Sequence, residues 1–417
     1  MILRARIVAP IRQPPIEDGA VQISANRITW VGRQADLPAP GGTPEVDLGE
    51  VILMPGLVNA HCHLDYTDMA GLIPPPKGFT DWIQALVGCK ASWTLPQFSA
   101  SWERGADMLL RHGTTTVLDV EAIPELLPAA WERTALRVVS FRELIHVKNR
   151  QPAAELIERA VNDWLGLPPA QGRVGLSPHA PYTTSRELLE LAARAAHRRR
   201  WRLVTHVAES EEEFQMYMYG QGPMFDWLKS QRDMGDCGRG SPVQHLERCG
   251  YLDENLIAVH VNYLWRHDAG ILGRNGVHVV HCPRSHAYFK HLKFPCAELE
   301  NAGVNVCLGT DSLATVFLGS ETPLELSLFH EMQAFAQKAP EVASTAIVRM
   351  ATLNGARALG RSGDLGELSP NALADLIVLP FAGRPAEVAD AIVHHRGPVA
   401  AVMVGGQWAV QPAHAPE

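Results

Sequence analysis

A closed (β/α)8 TIM barrel carrying a small β-sandwich domain is the fold class that the 417-residue sequence predicts. Two observations carry this reading. Over the long middle of the chain, apolar β-branched runs alternate with longer helical stretches, the pattern of a parallel sheet covered by helices. At both ends the texture changes to short strand-like runs separated by Pro and Gly.

The elements follow in order. Residues 1–54 hold the runs IVAPI, AVQISANRITWVG and EVILMPG, the first part of the small domain. Residues 55–363 hold the barrel, with predicted strands at 57–63, 114–120, 136–141, 173–178, 202–207, 256–261, 277–281 and 304–309. Helical stretches such as 101–112, 185–197 and 295–302 fall between them. Residues 364–417 return strand-like segments to the small domain, GDLGELSPNALADLIVL and AVMVGGQWAV.

Composition narrows the class. A formal net charge of -8 argues against nucleic acid or an anionic membrane as partner, because phosphate binding needs clustered Lys and Arg. The one basic run, Arg198-Arg199-Arg200-Trp201-Arg202, reads as a solvated helix end whose cations complement the helix dipole. The seven cysteines contain no CxxC pair and are odd in number, so a reducing compartment fits better than a disulfide framework. No secretory leader is visible, and no apolar run approaches the roughly 20 residues of a membrane span. The expectation is a cytoplasmic protein acting on a small molecule, with a homo-oligomer compatible.

Chemistry gathers at the predicted strand ends. The first strand ends in His61-Cys62-His63, and residues two apart point to one face. Two structural histidines would explain that pair taken alone. They do not explain its company, which is His206 and Glu209 in HVAES, His260 in AVHVN, and Asp311 in LGTDS. All lie at or just past the C-terminal end of a predicted strand, the face where barrels of this kind build active sites. Convergence of these groups points to a metal site.

The segment LMPGLVNAHCHLD resembles the PGLVNxHxH motif of the amidohydrolase superfamily. HVAES resembles its HxxE motif, HCPRSH its motif after strand seven, and GTDS its strand-eight aspartate motif, in the family's order. The resemblance implies that His61, His63, His206 and Asp311 ligate one divalent ion, Zn²⁺ first, with Fe²⁺ or Mn²⁺ also suited. Relatives with two metals carry a bridging Lys on strand four, whereas RVGLSPHAPYT has none. Glu209 matches the proton-shuttling glutamate of the deaminase branch, with Asp311 and His260 orienting and deprotonating water. The neighbouring Glu211, Glu212 and Glu213 read as a solvated helix face.

Resemblance also supplies substrate expectations. Trp82 in FTDWIQ and His179 in SPHAPYT match substrate-facing residues of nucleoside-deaminating relatives, although a buried structural role competes for His179. Arg142 and Arg150 flank the third loop and are candidates for a substrate carboxylate. Ser285 and His286 stand where many relatives carry CPxSN, and SHAYFKHLKFP resembles the SHxYFxHxxFP segment of aminodeoxyfutalosine deaminases in the futalosine route to menaquinone. The implied reaction is deamination of 6-amino-6-deoxyfutalosine at purine C6. Tyr288 and Phe289 would wall its benzoate, with Arg284 or Lys290 as further cations. The alternatives are deamination of adenosine, S-adenosylhomocysteine or another aminopurine or pterin, and an amide- or chloro-hydrolase of heteroaromatics.

Overall fold

The computed structural model describes residues 1–38, 42–74, 76–148, 151–167, 173–317 and 324–412. Five strands come first: β1 (Ile2–Val8), β2 (Ile16–Ser24), β3 (Arg27–Arg33), β4 (Glu45–Asp47) and β5 (Val51–Pro55). The barrel follows as β6 (Leu57–Cys62), β7 (Thr114–Glu121), β8 (Arg137–Leu144), β9 (Arg173–Pro178), β10 (Leu203–Val207), β11 (Leu256–His260), β12 (His278–His281) and β13 (Asn305–Leu308). These match all eight predicted strands to within a few residues. The chain closes with β14 (Leu376–Pro380), β15 (Ala401–Val404) and β16 (Gln407–Val410).

Strands β6 to β13 pair in sequence order and in parallel. An isolated parallel bridge between Cys62 and Asp311 joins the two ends of that sheet. There, Thr310 and Asp311 donate their backbone N–H groups to the His61 carbonyl at 3.0 and 3.1 Å. A Cβ at Gly309 would lie 2.9 Å from the backbone of His61, so only glycine permits this approach. Val58, Val120, Phe141, Val204, Val259, Val280 and Cys307 pack together as the buried barrel interior.

The remaining strands form a second sheet in the order β16-β15-β14-β5-β1-β2-β3, with β4 pairing β1. It joins both chain ends, because β14 lies antiparallel to β5. β15 and β16 are joined through Gly405 and Gly406, both at positive φ (56° and 79°), the conformation a tight hairpin turn needs. No described helix is long and apolar enough to cross a membrane.

Two details bear on the site. Helix Leu95–Arg111 buries Phe98, Ser101, Trp102, Gly105, Ala106 and Leu109 along one face. From it, Trp102 Nε1 donates to Asp119 at 2.8 Å, and the other Asp119 oxygen accepts from the Leu64 backbone at 2.9 Å. The chain leaving β6 is thereby held. The basic run ends helix Arg186–Arg199 as expected, with Arg200 left-handed (φ 55°) as C-cap. Arg202 departs from a purely solvated role, because its guanidinium turns back onto the Glu254 carbonyl.

Candidate metal centre and active site

The histidines predicted to converge do so. His61, His63 and Asp311 offer ligand atoms within 4.8 Å of one another, as do His61, His206 and His260, and also Glu209, His260 and Asp311. His63 Nε2 lies 3.4 Å from His206 Nε2, and His61 Nε2 lies 4.0 Å from Asp311 Oδ1. The register of β6 against β7 shifts between Asn59 and Cys62. Such a shift re-aims side chains, here at the strand end that carries both histidines. His260 and Asp311 hold positive φ (74° and 52°), as do Ala208 and Val261 (48° and 50°). Backbone of this kind persists only where its surroundings over-determine it, and it gathers at functional sites.

A divalent ion fits this cluster. His61, His63 and His260 are buried, and burial among other imidazoles pushes their pKa well down, so they stand as neutral nitrogen donors. His61 Nε2, which faces Asp311, is buried with no hydrogen-bond partner, a costly state that a bound cation would relieve. His206 Nδ1 lies 2.8 Å from the His179 carbonyl, which can only accept. Nδ1 therefore carries the proton, and the Nε2 lone pair faces the cluster. Asp311 is fixed by the Ser312 N–H at 2.8 Å and by the Ser285 and Thr315 hydroxyls.

Glu209 faces this cluster from the far side. Its Oε1 lies 3.3 Å from His260 Nε2. Burial, with Asp311 and Glu213 nearby, raises its pKa well above the usual carboxylate range, so it tends to hold a proton. Its backbone N–H donates to Glu213 Oε2 at 2.9 Å, and its carbonyl accepts from Asn262 Nδ2 at 2.9 Å.

The expected solvated face after Glu209 is not what forms. Glu213 is fully buried, and burial lifts its pKa to about 8. Glu212 reaches across to accept the backbone N–H groups of Phe79 and Thr80 at 3.0 and 2.8 Å, as well as the Thr80 hydroxyl. The sharp turn at Ala208 brings both side chains inward. Glu212 thus ties the loop of Glu209 to helix Phe79–Ala91, which lines the cavity with Trp82, Ile83, Leu86, Val87 and Lys90. Glu212→Ala is expected to cost about 1 kcal/mol, the size of a lost helix cap, read as an increase of about fivefold in KM with little change in kcat. Initial-rate kinetics check this, and a fall in kcat at unchanged KM would refute it.

A cavity of about 530 Å³ opens over the cluster. His63, His206, Glu209, His260 and Asp311 form part of its floor, and Trp82 and His179 line it as expected. His179 joins both competing readings, since its carbonyl also holds His206. The other substrate candidates sit elsewhere. Arg142 is not among the lining residues; Glu143 is, because adjacent strand residues face opposite ways and 143 continues the inward series of Val139 and Phe141. Ser285 holds Asp311. His286 and Lys290 line a separate cavity. Arg284 is committed to the Glu325 carbonyl at 2.8 Å and to Glu331. Phe289 packs behind Trp82 with ring centroids 5.1 Å apart, and Tyr288 packs on Phe289. Arg150 lies outside the described residues. Among the described residues the lining cations are instead Lys90 and Lys148. The signal for Lys90 was its spacing from Trp82 and Leu86, four residues per step along one helix face.

A parallel barrel with neutral imidazoles, an aspartate and a protonatable glutamate at the C-terminal ends of its strands defines a metal-dependent hydrolase. Residues 52–409 match the model of the amidohydrolase family, and the chain belongs to that family. It is an enzyme, a hydrolase of C–N bonds. It is 32% identical to a 5-methylthioadenosine/S-adenosylhomocysteine deaminase of Syntrophobacter fumaroxidans, over 91% of this chain and 88% of the relative. Among solved structures, a zinc-bound adenosine deaminase of Xanthomonas campestris superposes with a TM-score of 0.83 at 26% identity, over 98% of this chain and 92% of the other. The aminofutalosine deaminase of Helicobacter pylori superposes with a TM-score of 0.86 at 18% identity, over 98% and 100%, a likeness of fold.

Proposed function

We propose that this protein hydrolyses the 6-amino group of a purine nucleoside with one bound ion, Zn²⁺, and that its substrate is 6-amino-6-deoxyfutalosine. The observation that carries the deaminase reading is the facing pair Glu209 and His260, 3.3 Å apart beside Asp311 on the cavity floor. His61, His63, His206 and Asp311 would hold the ion, whose Lewis acidity lowers the pKa of water toward neutrality. Asp311 and His260 orient the attacking water and accept its proton. Glu209, protonated at rest, donates its proton to the ring nitrogen beside the attacked carbon. Its carboxylate then relays to the leaving amino group the proton that Asp311 and His260 accepted from water, and is reprotonated from the new C–O–H as the carbonyl forms. The tetrahedral carbon collapses, ammonia leaves, and an oxo-purine remains. Trp82 and the loop of His179 bound the purine and ribose.

The cavity's volume of about 530 Å³ and its lining support an extended substrate. Beyond the floor its wall is apolar, with Ile145, Val147, Trp227 and Leu228, and Lys148 lines it in the same segment as Ile145 and Val147. That arrangement suits an aromatic carboxylate better than a free base. A competing reading, deamination of methylthioadenosine or S-adenosylhomocysteine, draws on the relative at 32% identity. Ammonia release separates them. The kcat/KM for aminodeoxyfutalosine is expected to exceed that for adenosine, methylthioadenosine and S-adenosylhomocysteine by at least about tenfold, or about 1.4 kcal/mol of transition-state binding. Higher activity on methylthioadenosine or S-adenosylhomocysteine would transfer the assignment to the second reading.

A further inference from the structure

Among the described residues, Glu143 is the one carboxylate lining the cavity that the proposed reaction leaves without a task. It stands at the end of β8, beside the β9 end that carries His179. Its side chain is 8% exposed, and no described residue donates a hydrogen bond to it. Its partner is Lys90, whose Nζ lies 3.9 Å from Oε2, beyond hydrogen-bond reach but close enough to balance the charge. Lys90 and the His179 and His206 rings hold the Glu143 carboxyl below the usual range despite its burial.

Lys90 is itself set at a defined distance from the metal cluster. Tyr66 stacks on His63 with ring centroids 5.1 Å apart, and its hydroxyl touches Lys90 Nζ. The Lys90–Glu143 pair therefore sits about one aromatic side chain away from the floor. A purine whose C6 meets the cluster would bring its ribose to that level.

An ionised carboxylate has about four acceptor sites; where it opens onto a cavity, water fills them until a bound substrate displaces that water and must supply donors in its place. With the charge already balanced by Lys90, a second cation is not what the site lacks. It lacks neutral donors. Two adjacent hydroxyls on one face offer two O–H groups to the two carboxylate oxygens. The Thr183 hydroxyl, which lines the same region, is engaged with His179 Nδ1 at 2.7 Å and does not fill the role.

We propose that Glu143, held by Lys90, accepts hydrogen bonds from the 2′- and 3′-hydroxyls of the substrate, making a free vicinal diol the feature by which this enzyme selects ribonucleosides. The inference rests on the nucleoside reading given above. It assigns Glu143 as a substrate-binding and specificity residue, acting apart from proton transfer at C6.

The test uses the zinc-loaded full-length protein with adenosine and 2′,3′-dideoxyadenosine. Wild type should favour adenosine by about tenfold or more in kcat/KM, the scale of a hydrogen bond to a charged group. Glu143→Gln should lose most of that preference by falling on adenosine while changing less than about twofold on the dideoxynucleoside. Glu143→Asp, which keeps the charge and withdraws it by one methylene, should fall between. Equal losses on both nucleosides, or no loss on either, would overturn the diol assignment and leave the deaminase reading standing. If neither nucleoside is turned over, aminodeoxyfutalosine and its 2′,3′-dideoxy analogue take their place with the same expected outcomes, and a wild type that releases ammonia from none of the four would overturn both. If Glu143→Gln is too unstable to purify, Glu143→Asp takes its place, for which a partial loss of the preference, through a fall on adenosine alone, supports the assignment and an unchanged preference overturns it.

Discussion

Glu209→Gln is expected to keep its metal and to lose turnover by at least about a hundredfold, the lower end for a general acid–base group. Glutamine has the shape of glutamate and cannot release a proton from that position. The backbone that presents it is held independently, by Glu213 at the N–H and by Asn262 at the carbonyl, so the substitution leaves the loop in place. The four residues proposed to hold the ion do not include Glu209. The pH profile gives a second readout. Burial and the Asp311 and Glu213 carboxylates raise the Glu209 pKa, so the proton needed for donation is present at neutral pH and is lost as pH rises through that raised value. The wild-type profile should carry an alkaline limb of this origin, and the residual activity of Glu209→Gln should lack it. Near-normal turnover in the variant, with metal content measured alongside, would remove Glu209 from the mechanism.

The parts of this site that were legible in the sequence are those fixed by strand ends. A period of two sets His61 and His63 on one face, and a parallel barrel sends the ends of β6, β10, β11 and β13 to one rim, so His206, His260 and Asp311 had to be neighbours. Side chains whose direction depends on how a loop folds were read less well. The charge of Arg142 suggests a carboxylate partner, whereas strand alternation turns it away from the cavity and turns Glu143 in. Arg284 was counted as a free cation, yet Glu331 and the Glu325 carbonyl already use it. Glu212 and Glu213 look like a solvated charge run because their helix is short and acidic. The turn at Ala208 that redirects them has φ of 48°, a conformation no residue type at that position announces. Lys90 depends on where helix Phe79–Ala91 settles, which is set by Glu212 across the cavity. Only Lys90 among these depends on a contact spanning more than a hundred residues, Glu212 to Thr80; Arg284 is used by partners fewer than fifty residues away, and the others follow strand alternation or a local turn.

Removing one metal ligand should have the other large effect. Purified protein is expected to bind about one divalent ion per chain, the number that catalytic sites of three or four protein ligands hold. Among the described residues, each two of the three ligand groupings have one residue in common, His61, His260 or Asp311, so they outline one overlapping site and not two. His206→Ala takes away an imidazole whose orientation is imposed by the His179 carbonyl. Replacing a residue that merely orients a ligand typically costs 10–100-fold in metal affinity, so loss of the ligand itself should cost at least about a hundredfold. Metal analysis after dialysis should find His206→Ala largely empty, with activity reduced in proportion and partly restored by excess Zn²⁺. Asp311→Asn keeps a neutral oxygen donor and should retain more metal than His206→Ala while losing activity, because the amide accepts no proton from water. Two tightly held ions per wild-type chain, or full occupancy in His206→Ala, would refute this ligand set.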